Sequence, residues 1–80
     1  DGLGTFAKLY RLTNAETRVL NHLLQQQSTH EIATALQISM NTLRTHLKIL
    51  FAKTSTKNQR ELVNFCRSHP NYYSVEEGNN

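Results

Sequence analysis

The amino-acid sequence predicts an all-α fold, a compact bundle of four helices, and three observations carry that reading. Apolar residues recur at three- and four-residue spacing along most of the chain. Four polar N-cap residues stand just ahead of those runs, three of them followed by an acid three positions on. Strand-type alternation is missing. Apart from Pro70 and Gly78, nothing after Gly4 looks like a turn between alternating apolar segments.

Thr13 with Glu16 opens the first expected helix, residues 13–26, with a stripe of Val19, Leu20, Leu23 and Leu24. A cap hydroxyl accepts from the third helical amide, and the acid there returns a bond to the cap and faces the positive end of the helix dipole. Ser28 with Glu31 repeats the signal for residues 28–36, whose inward positions are Ile32, Ala33 and Leu36. Ser39 opens residues 39–54 without an acid, but Ile38 and Leu43 have the spacing of a hydrophobic staple. Asn58 with Glu61 opens residues 58–69, with Leu62, Val63, Phe65 and Cys66 as apolar positions. Pro70 cannot continue that helix. Residues 70–80, with Tyr72 and Tyr73, read as a flexible C-terminal tail. Residues 1–11 read as a linker remnant, although Phe6, Leu9 and Tyr10 have the bulk to pack on the domain.

Eighty residues hold one small domain with a thin core. No apolar run nears the roughly 20 residues of a membrane span, and no signal-peptide pattern opens the chain. A start at Asp1-Gly2-Leu3-Gly4 without Met reads as a fragment of something longer. The single cysteine, Cys66, excludes an internal disulfide framework and fits a reducing cytoplasm. Cys66 and His69 stand at a spacing that suits two metal ligands, but no further pair lies nearby, so no metal site and no cofactor are expected. Without a glycine-rich phosphate loop, a carboxylate pair or a nucleophile beside a base, no enzyme is expected either. Glu31 is read as a cap and an ion-pair partner, of Lys53 in particular, and His46 as a packed histidine at the core's edge.

The net charge is only +3, but Arg44, Lys48, Lys53, Lys57 and Arg60 fall in a stretch with no acid between Glu31 and Glu61. Charge alone fits a polyanionic partner and a solvated helix face equally. Placing residues 40–54 at about 100° each sorts them into two faces. Met40, Leu43, Leu47, Leu50, Phe51 and Thr54 share the inward arc, and Lys53 and Ile49 lie on the flank. Opposite stand Asn41, Arg44, Thr45, Lys48 and Ala52, which offer donors and small groups and no acid. Arg can read guanine, Asn adenine, and Lys either guanine or phosphate. Two short helices joined through Gln37-Ile38 precede and include that face, the arrangement of a central helix-turn-helix. The amides and hydroxyls of Ser28-Thr29-His30 suit a phosphate.

Residues 12–63 resemble the LuxR-type domain, also called GerE- or FixJ-type and NarL-like, found at the C-terminus of bacterial transcription regulators. The resemblance rests on Leu12-Thr13 with Glu16, Val19-Leu20, Ser28, Glu31-Ile32-Ala33, Leu36, Ile38-Ser39, Thr42, His46, Lys53 and Glu61-Leu62-Val63. It implies a four-helix fold that binds double-stranded DNA, usually as a homodimer on inverted repeats, in the bacterial cytoplasm at the nucleoid, with RNA polymerase as a further partner. The base-reading positions it implies are Arg44, Thr45 and Lys48. Phosphate contacts fall on Thr29, Asn41, Thr42, Lys57 and Asn58, and the dimer contact on Val63, Asn64, Cys66 and Arg67. The chain departs from the family pattern in five places. Ala15 stands for a usual Arg, Gln25-Gln26-Gln27 for a helix-ending Gly, and Leu43 for Val. Thr54-Ser55-Thr56 replaces a Leu-Gly-Val turn, and Gln59 an Arg. The altered turn keeps a second function in view, a helix-turn-helix module for protein–protein interaction or dimerisation without DNA. Membrane-surface binding fits poorly, because the apolar face of the basic helix is needed for the core.

Overall fold

Each of the four caps read from the sequence opens a helix. The computed structural model describes residues 2–69, which form α1 Gly2–Leu9, α2 Asn14–Leu24, α3 Thr29–Leu36, α4 Met40–Thr54 and α5 Gln59–Ser68. Thr13 and Ser28 make complete capping boxes, the hydroxyls accepting from the Glu16 and Glu31 amides and the two carboxylates from the cap amides. Ser39 Oγ accepts from the Thr42 amide at 3.0 Å. At Asn58 the box is shifted: its Oδ1 accepts from the Glu61 amide, but Glu61 accepts from Lys57, one residue ahead of the cap. Each cap is worth about 1 kcal/mol, so together they set where the helices begin.

The helix ends share one device. Arg11, Gln26, Gln37 and Ser55 have φ of 58°, 63°, 58° and 57°, left-handed values reached without glycine. The following amide then reaches back five residues: Leu12 to Ala7 at 2.9 Å, Gln27 to His22 at 3.4 Å, Ile38 to Ala33 at 3.0 Å and Thr56 to Phe51 at 3.0 Å. These bonds satisfy the last carbonyls of α1 to α4. Two of the four left-handed residues, Gln26 and Ser55, lie in the segments where the family pattern has glycine. The Thr54-Ser55-Thr56 turn is thus an ordinary helix end, tightened by bonds from Thr54 Oγ1 to the Leu50 carbonyl and between the Thr54 and Thr56 hydroxyls.

α2 is the central element and packs on every other helix, while α3 also packs on α4. Val19, Leu20, Ile32, Leu43, Leu50, Leu62 and Cys66 are fully buried, with Leu23, Ala33 and Leu47 nearly so. Each buried leucine or isoleucine contributes about 1.5–3 kcal/mol. Among the described residues no buried polar side-chain atom lacks a partner. No helix among them is long and apolar enough to cross a membrane.

The main departure is at the N-terminus. Residues 1–11 are expected as a linker remnant, yet Gly2–Leu9 is a fifth helix and Phe6 is fully buried. Its ring joins Tyr10, Phe65 and His69, every pair of centroids lying between 4.6 and 5.9 Å. Packing against α2 and the end of α5 supplies what an eight-residue helix lacks alone. Leu9 stays largely exposed. The tail expected over residues 70–80 lies outside the described residues.

Candidate nucleic-acid interface

The face of α4 divides as the helical spacing predicts. Leu43, Leu47, Leu50 and Thr54 are buried, with Met40 and Phe51 half-buried beside them. Asn41, Arg44, Thr45, Lys48 and Ala52 are all exposed. Arg44 Nη1 donates to Asn41 Oδ1 at 3.2 Å, one turn apart, and Thr45 Oγ1 donates to the Asn41 carbonyl at 3.1 Å. Thr42 is exposed at the N-terminus, its hydroxyl 3.0 Å from that of Ser39. The result is one solvent-facing strip of amide, guanidinium, hydroxyl and ammonium groups on a helix that carries no acid.

α3 and the three-residue turn Gln37-Ile38-Ser39 set the direction of that strip. Ile32 and Ala33 bury the inward side of α3, and Ile38 and Leu36 pack against the core next to it. At the N-terminus of α3, Thr29 is half-buried and His30 exposed. Lys57 and Asn58 are exposed before α5, with the Asn58 side chain engaged as the cap and the Lys57 amide held by Glu61. Thr29, Asn41, Thr42, Lys57 and Asn58 therefore all lie at helix N-termini or in the turn just ahead of one.

The expected dimer set does not stay together. Cys66 is fully buried in the protomer's own core, because Leu62 and Cys66, one turn apart on α5, both face inward. Val63 and Arg67 are half-buried and Asn64 exposed. Arg67 Nη2 donates to the Leu24 carbonyl at 2.7 Å and so ties α5 to the end of α2. Val63, Asn64 and Arg67, with Leu23, Gln26 and Arg60, line an open groove of about 510 Å³.

Lys53 needs a second correction. Its partner is Glu16, at 2.6 Å, and not Glu31, which is exposed and spent on its cap. The Lys53 nitrogen also donates to the Arg11 carbonyl at 2.8 Å. Burial pushes the Glu16 carboxyl up, but the Lys53 and Thr13 hydrogen bonds and the Lys53 charge outweigh it and hold the group below its ordinary value of 4.5. Burial likewise pushes the Cys66 thiol up to about 11, with Arg67 opposing weakly. His46 is half-buried beside Ala15, Arg18, Leu36 and Ile38. The Lys53–Glu16 pair is missed from sequence because a cap and an ion pair both claim each glutamate. The i, i+4 spacing of Phe6 and Tyr10 is the signal that would have placed α1.

Comparison with known proteins agrees with this architecture. The family model for bacterial regulatory proteins of the luxR family matches residues 10–66. The CsgBAC operon transcriptional regulatory protein of Escherichia coli (strain K12) is 41% identical over 58 residues, which is 72% of this chain and 27% of that protein. The monoamine regulon transcriptional regulator of Klebsiella aerogenes is 40% identical over 52 residues, 65% of this chain and 23% of that protein. The chain thus spans about a quarter of the length of the curated relatives it matches. No solved structure gives a significant match. With five helices among the described residues, built round a helix-turn-helix, and a family match over most of its length, this chain belongs to the luxR family of bacterial regulatory proteins.

Proposed function

We propose that this domain binds double-stranded DNA sequence-specifically for a bacterial transcription regulator, with α4 in the major groove. The observation that carries the reading is the exposed strip Asn41, Arg44, Thr45 and Lys48 on a helix without an acid. Arg44 and Lys48 read base edges and Thr45 lies between them, each good bidentate contact being worth about 1–3 kcal/mol. Asn41, Thr42 and Thr29, with Lys57 and Asn58 ahead of α5, hold phosphates and fix register without reading sequence. α3 crosses the backbone and buttresses α4.

The domain works as a homodimer on an inverted repeat, placing two copies of α4 about 34 Å apart in successive major grooves. Val63, Asn64 and Arg67 on α5 form the contact, without Cys66. RNA polymerase is the partner for an activating regulator, and the nucleoid in the cytoplasm the place of action. Support comes from the family, from relatives named as transcriptional regulators, and from the exposed donors of α4. Selection of bound sites from random duplex DNA, followed by mobility shifts across a salt series, tests the reading. A palindromic consensus with steeply salt-dependent binding is expected. Recovery of no enriched sequence, with binding insensitive to salt, would favour the protein-interaction alternative.

A further inference from the structure

The nitrogen of Lys53 is held by two oxygens at the two ends of the α1–α2 connection. Glu16 Oε1, in the first turn of α2, lies 2.6 Å away; the Arg11 carbonyl, just past α1, lies 2.8 Å away. Lys53 itself is in the last turn of α4, the helix that carries Arg44 and Lys48. The Thr54 side chain, by contrast, bonds only within α4 and its own turn, to the Leu50 carbonyl and the Thr56 hydroxyl. Lys53 therefore ties the end of α4 to the α1–α2 connection.

Arg11 presents its carbonyl there because its backbone is left-handed, at φ 58°. It is left-handed because its amide and that of Leu12 close the end of α1, onto the Lys8 and Ala7 carbonyls at 3.3 and 2.9 Å. A non-glycine residue keeps such a φ only while the surroundings impose it. A formed α1 thus helps to hold that geometry at Arg11. An eight-residue helix is unstable alone in water, so α1 is formed only while it is docked. Docking rests on Phe6 and on the rings of Tyr10, Phe65 and His69, with His69 Nε2 3.1 Å from the Tyr10 hydroxyl.

We propose that α1 is a seating strap for α4: docked, it sets the Arg11 carbonyl on Lys53 as a second oxygen beside Glu16, and undocked, it leaves Lys53 with Glu16 alone and loosens that end of α4. Lys53 is the positioning residue through which the strap acts, and the effect on DNA rests on the role of α4 proposed above. Whatever moves α1 would change how well the domain discriminates its site, without touching a base-reading side chain.

The test is a double-mutant cycle in the 80-residue chain with Phe6→Leu, Lys53→Met and both together. Two readouts are taken: amide hydrogen exchange in α4 without DNA, and the ratio of affinities for a selected duplex over a random one. Each single change is expected to speed exchange at residues 51–54 and to lower the ratio by about three- to tenfold. In the Lys53→Met background, Phe6→Leu is expected to add less than about twofold to either readout. Lys53→Arg, which keeps the charge and a donor, should stay within about twofold of the unaltered chain. Factors that simply multiply in the double variant overturn the strap, as does global unfolding of Phe6→Leu, since α1 would then be inseparable from the core. If the unaltered chain discriminates no duplex, the DNA reading falls, while the exchange cycle still decides whether α1 seats α4.

Discussion

At the scale of single residues, the proposed interface makes different predictions for side chains assigned to bases and for those assigned to phosphates. Arg44→Ala is expected to cost about 1–3 kcal/mol on the preferred duplex and little on random DNA. Lys57→Ala should weaken both alike and lower the salt slope by about 0.9. Competition shifts on the two duplexes check this, and equal losses for Arg44→Ala on both would remove its base-reading role. A second residue-scale expectation concerns the helix ends. Gln37, at φ 58°, adopts a conformation that costs an L-residue about 1–2 kcal/mol. Gln37→Gly should relieve most of that, less the added freedom of the unfolded chain, for a net gain of about 0.5–1 kcal/mol in urea unfolding. Cys66 supplies a third. With its thiol fully buried and raised to about 11, it should resist a thiol reagent at about pH 8 until the chain is unfolded. Rapid labelling of the folded protein would place Cys66 at a surface after all.

The Lys53–Glu16 pair belongs to the scale of elements, because it joins α4 to α2. Glu16 is held below its ordinary 4.5, so the stability tied to its ionised form is complete above that value and is lost as pH falls through the folded one. Glu16→Gln carries no such dependence. It is expected to be less stable than the unaltered chain by about 1–3 kcal/mol at neutral pH, nearer the low end because the Lys53 side chain is 29% exposed. The gap should shrink as pH falls below the ordinary 4.5 and through the lower folded value, as measured by denaturant unfolding at acid pH. A gap that stays constant with pH would mean that packing of the Glu16 stem, and not its charge, joins the two helices.

At the scale of the whole molecule, geometry sets what a pair of domains can bind. In the proposed homodimer, two α4 helices related by a two-fold axis would reach half-sites about 10–10.5 base pairs apart, on one side of the duplex. Inserting about five base pairs between the half-sites should turn one to the far side and abolish cooperative binding, while each half-site still binds singly. Titrations on the two duplexes check this, and unchanged cooperativity would exclude a rigid dimer through Val63, Asn64 and Arg67.

Much of this architecture was legible in the sequence, for a local reason. A cap residue, its acid three positions on and an apolar stripe all act within one or two turns, so Thr13, Ser28, Ser39 and Asn58 declare where α2 to α5 begin. The same periodicity sorts α4 into an inner and an outer face, which is why its exposed strip was predictable residue by residue. What only the tertiary structure decided involves partners far apart in the chain. Glu16 and Glu31 are equally good caps, and only folding brings Lys53 to one of them. Phe6 becomes a core residue because Phe65 and His69 come to meet it, and Cys66 turns inward because α5 lies against α2. Local free energies of about 1 kcal/mol mark the ends of helices, whereas the choice among distant partners is made by burial, which no short window of sequence contains.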